Sequence, residues 1–462
     1  MNRVLQLLLA TLLLLSGGSV WAAPGETAPD LTNSVVGYFS LFLFFLAYAM
    51  VMAEEFTHLR KSKPVIFAAG VIWALVAYAY TTLGDTTTVE EAIRQNLLEY
   101  AELFFFLLTA MTYINSMTER KVFDALKAWL IRKGFTYRQM FWITGTLAFL
   151  ISPVADNLTT ALLMSAVLLA VGKQNPRFVS LGCINIVIGA NAGGAFSPFG
   201  DITTLMVWQK GMVHFWTFFT LFIPAAVNFL VPGILMHFAV PKGRPDASDE
   251  TIKMLYGAKA IMFLFLLTII TAVAGHNYLN LPPVIGMMTG LSYLMFYGYY
   301  LKIRQLGPVA HQHRKDYFDV FNKVSRAEWD TLLFFYGVVL CVGALGQIGY
   351  LALTSEFMYT QLGATTANTL VGVISSVVDN IPVMYAVLTM NPDMSTGQWL
   401  LVTLTAGVGG SMLSIGSAAG VALMGQARGI YTFFSHLKWL PAIAIGYAAS
   451  ILVHMLVNAR YF

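Results

Sequence analysis

The chain has 462 residues, 57% of them hydrophobic and 11% charged, with a formal net charge of +4. So apolar a composition excludes an ordinary water-soluble domain, and the basic residues sit in alternate connections rather than in one patch, which excludes a nucleic-acid binder. Two cysteines, Cys183 and Cys341, exclude a disulfide framework and argue against a cysteine metal site.

The first residues read as a secretory signal. Arg3 supplies the charge, Leu5 to Leu15 the apolar run, and Ala22 the expected cleavage point; an uncleaved first helix is the alternative. Beyond it, apolar runs near 20 residues recur, the length that crosses a bilayer. Lys and Arg mark the cytoplasmic side. They gather at Arg60, Lys61 and Lys63, between Arg120 and Arg138, and at Lys173 and Arg177. Further clusters lie between Lys242 and Lys259, between Lys302 and Arg326, and at Arg428 and Lys438.

These clusters fix a path for the first half, 35–240. Segment 35–52 runs inward, 64–83 outward and 101–117 inward. Segment 140–171 has basic residues at both ends. As one helix it would be about 48 Å long, against a bilayer core of about 30 Å. A re-entrant hairpin fits better, turning at Ser152-Pro-Val-Ala-Asp156-Asn157. Two full spans joined by that turn are the alternative. Segment 179–209 then crosses outward, but its centre reads Gly189-Ala-Asn191-Ala-Gly-Gly-Ala-Phe-Ser197-Pro-Phe-Gly-Asp201. So many glycines and polar residues, with a proline, predict a broken helix. Segment 216–238 returns to the cytoplasm, and 241–259 is a basic cytoplasmic linker.

The second half, 260–457, repeats the plan with reversed orientation. Spans are expected at 260–274, 284–300 and 329–350. No Lys or Arg lies between Arg326 and Arg428. The hairpin at 367–389, carrying Asp379-Asn380, is therefore expected to open outside. A second broken helix follows at 398–425, through Gly409-Gly-Ser411-Met-Leu-Ser414-Ile-Gly-Ser417, and a last span at 439–457. Three landmarks recur in order between the halves: Glu99-Tyr-Ala-Glu102 with Glu328-Trp-Asp330, the Asp-Asn pairs, and the Gly-Gly pairs. The fold class is an all-α polytopic membrane protein of two inverted repeats, each with a re-entrant hairpin and a broken helix. Substrate sites in such folds lie near the midplane at the discontinuous helices.

An acidic residue at a helix centre in the bilayer costs roughly 2.5–3.5 kcal/mol to insert. The deep polar set is Asp156, Asn157, Thr160, Asn191, Ser197 and Asp201 from one half, with Asp379, Asn380, Ser411 and Ser414 from the other. Thr159, Thr203 and Ser417 are secondary members. No Lys or Arg is expected beside them, so an anion site is disfavoured. The set suits a small hard cation held by carboxylate, amide, hydroxyl and freed backbone oxygens. A buried carboxylate that takes either a proton or a cation couples opposite fluxes in the simplest way. Against this stands a structural reading, in which each Asp and Asn only pins a turn through backbone N–H groups. Glu102, one turn into its span, reads as interfacial or as a further candidate. Glu328 and Asp330 read as boundary residues. His58, His311, His313 and His436 fall in cytoplasmic loops and His214 and His276 outside, all as solvated or interfacial side chains. There is no nucleophile motif and no phosphate loop, so the chain is not expected to be an enzyme or to use a cofactor.

Ser152-Pro-Val-Ala-Asp-Asn-Leu-Thr-Thr160, Gly189 to Thr204, Val378-Asp-Asn-Ile-Pro382 and Gly409 to Ser417 resemble the NhaD-type sodium/proton antiporters. These sit in the ion transporter superfamily, which also holds dicarboxylate, citrate and arsenite carriers. The dicarboxylate branch has Ser-Asn-Thr at its hairpin tips, where this chain has Asp156-Asn157 and Asp379-Asn380. The resemblance implies exchange of Na⁺, and of Li⁺, for H⁺ in a bacterial-type inner membrane. It also implies a homodimer with a fixed scaffold and a moving transport domain. Membrane lipid and monovalent cations are the expected partners. A sodium-coupled carboxylate or arsenite carrier on the same scaffold is the alternative.

Overall fold

The computed structural model describes residues 29–57, 59–172, 175–245, 251–305 and 318–462. The expected signal over 1–22, with His58, His311 and His313, lies outside them. Among the described residues every regular element is helical, and seven helices are long and apolar enough to cross a membrane.

In chain order the principal helices are α1 (Val35–Met52), α2 (Ser62–Thr82), α3 (Thr88–Glu119), α4 (Val122–Arg132), α5 (Tyr137–Ala155) and α6 (Asn157–Val171). Next come α7 (Pro176–Gly194), α8 (Ile202–Gln209), α9 (Phe222–His237), α10 (Ala258–Leu279), α11 (Pro283–Gln305) and α12 (Trp329–Ile348). The last are α13 (Ala364–Ser375), α14 (Asn380–Met390), α15 (Thr396–Gly409), α16 (Ala418–Gln426) and α17 (Leu440–Val457).

Two packing groups follow from which helices touch. One holds α1, α2, α3, α10, α11 and α12, with α2 against α12 and α10 against α11. The other is built around α7 and α15, which also meet each other. Nearly every residue of those two helices is buried. A helix apolar and buried all round belongs at a centre rather than at a lipid face. α5 and α6 pack against each other and against α7, while α13 and α14 pack against each other and against α15.

Local sequence explains where these helices start. Thr136 caps α5 in a capping box with Gln139, and Asn175 caps α7 with Pro176 in its first turn. The helix expected over 101–117 is longer than its apolar run and covers Thr88–Glu119. Its first turns are polar, and Asp85 accepts from the Thr87 and Thr88 backbone at 3.0 and 3.1 Å to start it. The Asp85 carboxyl lies below its ordinary range, chiefly through the Thr88 side chain and then through these backbone bonds. Glu102 is therefore midway along a helix and half-buried, not one turn from its start. The segment expected at 216–238 opens with a 3₁₀ stretch, Phe215–Leu221, before α9.

His436 requires a correction. It was expected in a solvated loop but is fully buried on the short helix Phe433–Leu437. The chain folds back under the second helix break there, so polarity and loop position misled.

Candidate ion-binding site

The break between α5 and α6 falls at Asp156, whose backbone takes φ 54° and ψ 161°. Few residues other than glycine adopt such angles. Its carboxylate caps α6, with Oδ1 accepting the Thr159 N–H and Oδ2 the Thr159 hydroxyl, each at 2.8 Å. Asp379, at the matching break between α13 and α14, behaves differently. Its φ is −46°, it makes no side-chain cap, and its Oδ1 is buried without a partner.

α7 stops at Gly194 and α8 starts at Ile202, leaving Asp201 as the N-cap of α8. Asp201 Oδ1 accepts from the Thr203 backbone at 3.2 Å. Its Oδ2 receives the Asn380 amide at 2.9 Å and the Asn157 amide at 3.5 Å. Asn157 Nδ2 also lies 3.1 Å from Asn191 Oδ1. The Asn191 amide donates to Ser411 Oγ at 2.9 Å and to Ser417 Oγ at 3.0 Å. One chain of hydrogen bonds thus joins both hairpin tips and both broken helices. Asp201, Asn191, Asn380, Ser411 and Ser417 are all buried.

Glycines allow this approach. A Cβ on Gly193 would stand 2.3 Å from the Phe149 carbonyl, and one on Gly409 would stand 2.2 Å from the Gly372 carbonyl. Beside them, Ser152 Oγ donates to Ala190 O at 2.6 Å and Ser375 Oγ to Ala406 O at 2.8 Å. The same hairpin-to-helix contacts recur in both halves.

The network contains carboxylate, amide and hydroxyl oxygens, and no lysine or arginine takes part in it. Buried oxygens without partners surround it in sequence: Thr160 Oγ1, Thr203 Oγ1, Ser414 Oγ and Asp379 Oδ1. Buried polar atoms are rarely left so, and a hard cation is the natural occupant for oxygens. Several candidates make no bond into this network. Asp156 and Thr159 bond each other, and Thr160, Asp379 and Ser414 hold unpartnered oxygens. Ser197 and Glu102 also stand apart. Ser197 donates to Pro153 O at 2.8 Å and ties the first break to the first hairpin. Among the described residues no three His, Cys, Asp or Glu groups gather into a metal centre.

Residues 45–407 match the family model described as citrate transporter. The chain is 56% identical to the Na(+)/H(+) antiporter NhaD of Vibrio cholerae serotype O1, covering 98% of each chain. It is 57% identical to the Na(+)/H(+) antiporter NhaD of Alkalimonas amylolytica, covering 100% of this chain and 98% of that one. The chain belongs to the NhaD-type sodium/proton antiporters. A more distant likeness, 29% over 91% of this chain and 72% of the other, links it to sodium/proton antiporter 1 of Arabidopsis thaliana.

Membership in the NhaD-type family makes the chain a membrane transporter and not an enzyme. The motif 189–204 of this NhaD-type chain supplies both Asn191 and Asp201, the two residues with most partners in the network. Sequence reasoning missed a second polar cluster. Glu99 on α3 pairs with Lys210 at the end of α8 and accepts the Tyr385 hydroxyl of α14 at 3.0 Å. Tyr385 also reaches Asn96 Oδ1 at 3.3 Å. A signal was present: Lys210 is one of few basic residues away from the cytoplasmic clusters. His436 and Tyr431 were missed as well, and nothing in their spacing pointed to burial.

Proposed function

We propose that this protein exchanges Na⁺, and Li⁺, for H⁺ at one buried site, by competition of proton and cation for carboxylates. Asp201 is the central carboxylate, because amides from both hairpins converge on it. Asp379, with an unpartnered buried oxygen, is the second. Asp156 is the third, and leaves its cap on α6 to contribute when the site is loaded. Asn157, Asn191, Asn380, Thr160, Ser411, Ser414 and Ser417 supply neutral oxygens, and Thr203 completes the surroundings of Asp201. Each cation that enters displaces protons, so one site cannot carry both, and alternating access turns that exclusion into exchange.

The two hairpins enter from opposite sides of a bacterial-type inner membrane as inverted repeats, each carrying its Asp-Asn pair to the midplane. The protein works there as a homodimer. Large apolar side chains exposed on α10 and α11, among them Phe263 and Phe296, suit lipid and a second copy. The cation reading is favoured over a carboxylate carrier because the network centres on a carboxylate and includes no lysine or arginine. Everted vesicles test it: adding Na⁺ or Li⁺ should dissipate a preformed pH gradient. Uptake of a radiolabelled dicarboxylate driven by Na⁺, without such dissipation, would replace this reading with the carrier.

A further inference from the structure

His436 lies between α16 and α17, outside every motif of the site, and is fully buried. Both ring nitrogens are bonded. Nε2 stands 2.8 Å from the Ser411 carbonyl and Nδ1 stands 2.7 Å from the Tyr431 hydroxyl. A carbonyl can only accept, so Nε2 carries the hydrogen. In the neutral ring Nδ1 then accepts, and Tyr431 donates to it. The two partners together fix the tautomer, and Tyr431 is itself 1% exposed.

Ser411 sits in the gap between α15 and α16. In a continuing helix its carbonyl would accept the N–H four residues on. The break removes that donor, and the imidazole supplies another. The same residue's hydroxyl accepts from Asn191, next to Ser417 Oγ. Ser414 Oγ, buried and unpartnered, lies three residues further along the same gap. At the first break, Ser197 Oγ instead donates to Pro153 O at 2.8 Å. One side chain from a distant turn therefore sets the backbone of the second break.

We propose that His436 is a positioning residue for the cation site. Its Nε2–H ties the Ser411 carbonyl to the protein, which holds the serine hydroxyls of the second break in place and sets affinity and discrimination among alkali cations. This rests on the cation-exchange reading above. Without the ring, a buried carbonyl becomes free to join the ion, and the serines lose their fixed spacing. The change falls on Na⁺ affinity and on the Li⁺/Na⁺/K⁺ order rather than on the maximal rate.

The test uses the full chain in proteoliposomes, with exchange measured against Na⁺, Li⁺ and K⁺ concentration. His436→Ala should raise the half-saturating Na⁺ concentration by roughly tenfold, the loss of one buried hydrogen bond, and narrow the preference over K⁺. His436→Gln keeps an N–H donor and should return the value to within about threefold of the parent. Tyr431→Phe removes the group that orients the ring and should fall between them. Unchanged half-saturation and ion order in the variants, beside an active parent, overturn the inference. A drop in maximal rate alone, with half-saturation unmoved, also overturns it by leaving His436 a structural role only. If His436→Ala does not assemble, His436→Gln and Tyr431→Phe decide by the same readings. A parent that exchanges no cation at all fails the earlier reading instead, and is distinguishable at once.

Discussion

Asn380 donates to Asp201 Oδ2 across 2.9 Å, joining the tip of the second hairpin to the break of the first half's crossing helix. The two residues lie in different halves of the sequence and meet only because α8 packs against α14. The bond makes the candidate site a property of both halves. Neither hairpin carries it alone.

Asn380→Ala should raise the half-saturating Na⁺ concentration by about ten- to a hundredfold, because a hydrogen bond to a charged group is worth about 1.5–3 kcal/mol. Asn380→Asp should be worse. It sets a second carboxylate against Asp201, and two carboxylates sharing a site retain a proton between them. Exchange kinetics at fixed pH check the order. Equal effects of Ala and Asp would show that Asp201 carries no charge in the working state.

Competition between H⁺ and Na⁺ has a sign. At pH values where the site is protonated, each proton displaced raises half-saturation for Na⁺ by about tenfold per unit fall in pH. Above that range the value becomes flat. The maximal rate at saturating Na⁺ should change far less than half-saturation as the outer pH is lowered. Half-saturation independent of pH from 6 to 9 would separate the proton path from the cation site.

Much of this was legible in the sequence. The interruptions between helices were visible because polar and glycine residues interrupt apolar runs, and interruption is a local signal. Helices end at Gly194 and Gly409, inside the segments 179–209 and 398–425 where breaks were expected. The partners of Asp156 were not legible. A carboxylate at a hairpin tip can cap its own helix or reach across, and both use the same residue at the same place. The structure shows the cap, at Thr159. Nothing in the sequence sets Asp201 apart from the other deep polar residues, yet it has partners from both hairpins. His436 was lost for a related reason: burial of a polar residue behind a short turn leaves no periodic mark. The Glu99–Lys210 pair was hidden because its members are far apart in sequence.

Gly193→Ala and Gly409→Ala should each disrupt assembly of their half. The added Cβ would meet backbone carbonyls of Phe149 and Gly372, which cannot swing aside as a side chain does. Overpacking costs about 1–3 kcal/mol where neighbours can move, and more is expected here. Gly70→Ala on α2 is the control, since nothing lies within 4 Å of its added Cβ. It should stabilise by about 0.5–1 kcal/mol, the usual gain of alanine over glycine in a helix. Melting in detergent separates the three. Similar melting for all would show that the hairpins stand further from the broken helices than these contacts allow.

Asp156 offers the sharpest separation of structure from function. Its backbone angles, φ 54° and ψ 161°, cost of order 1–3 kcal/mol for a side chain other than glycine. Its carboxylate meanwhile caps α6. Asp156→Asn keeps the shape, and Asn caps a helix about as well as Asp. Asp156→Gly loses the cap at a cost of a few tenths of a kcal/mol but relieves the backbone. The glycine variant should therefore melt slightly higher than the parent, by about 1 kcal/mol of stability. Both variants should fail to exchange Na⁺ for H⁺, because neither can release a proton or balance a cation. Retained exchange in the asparagine variant would confine Asp156 to its cap and leave the carboxylate chemistry to Asp201 and Asp379. Loss of exchange together with a raised melting point in the glycine variant would mean that the strained residue is kept for the ion and not for the fold.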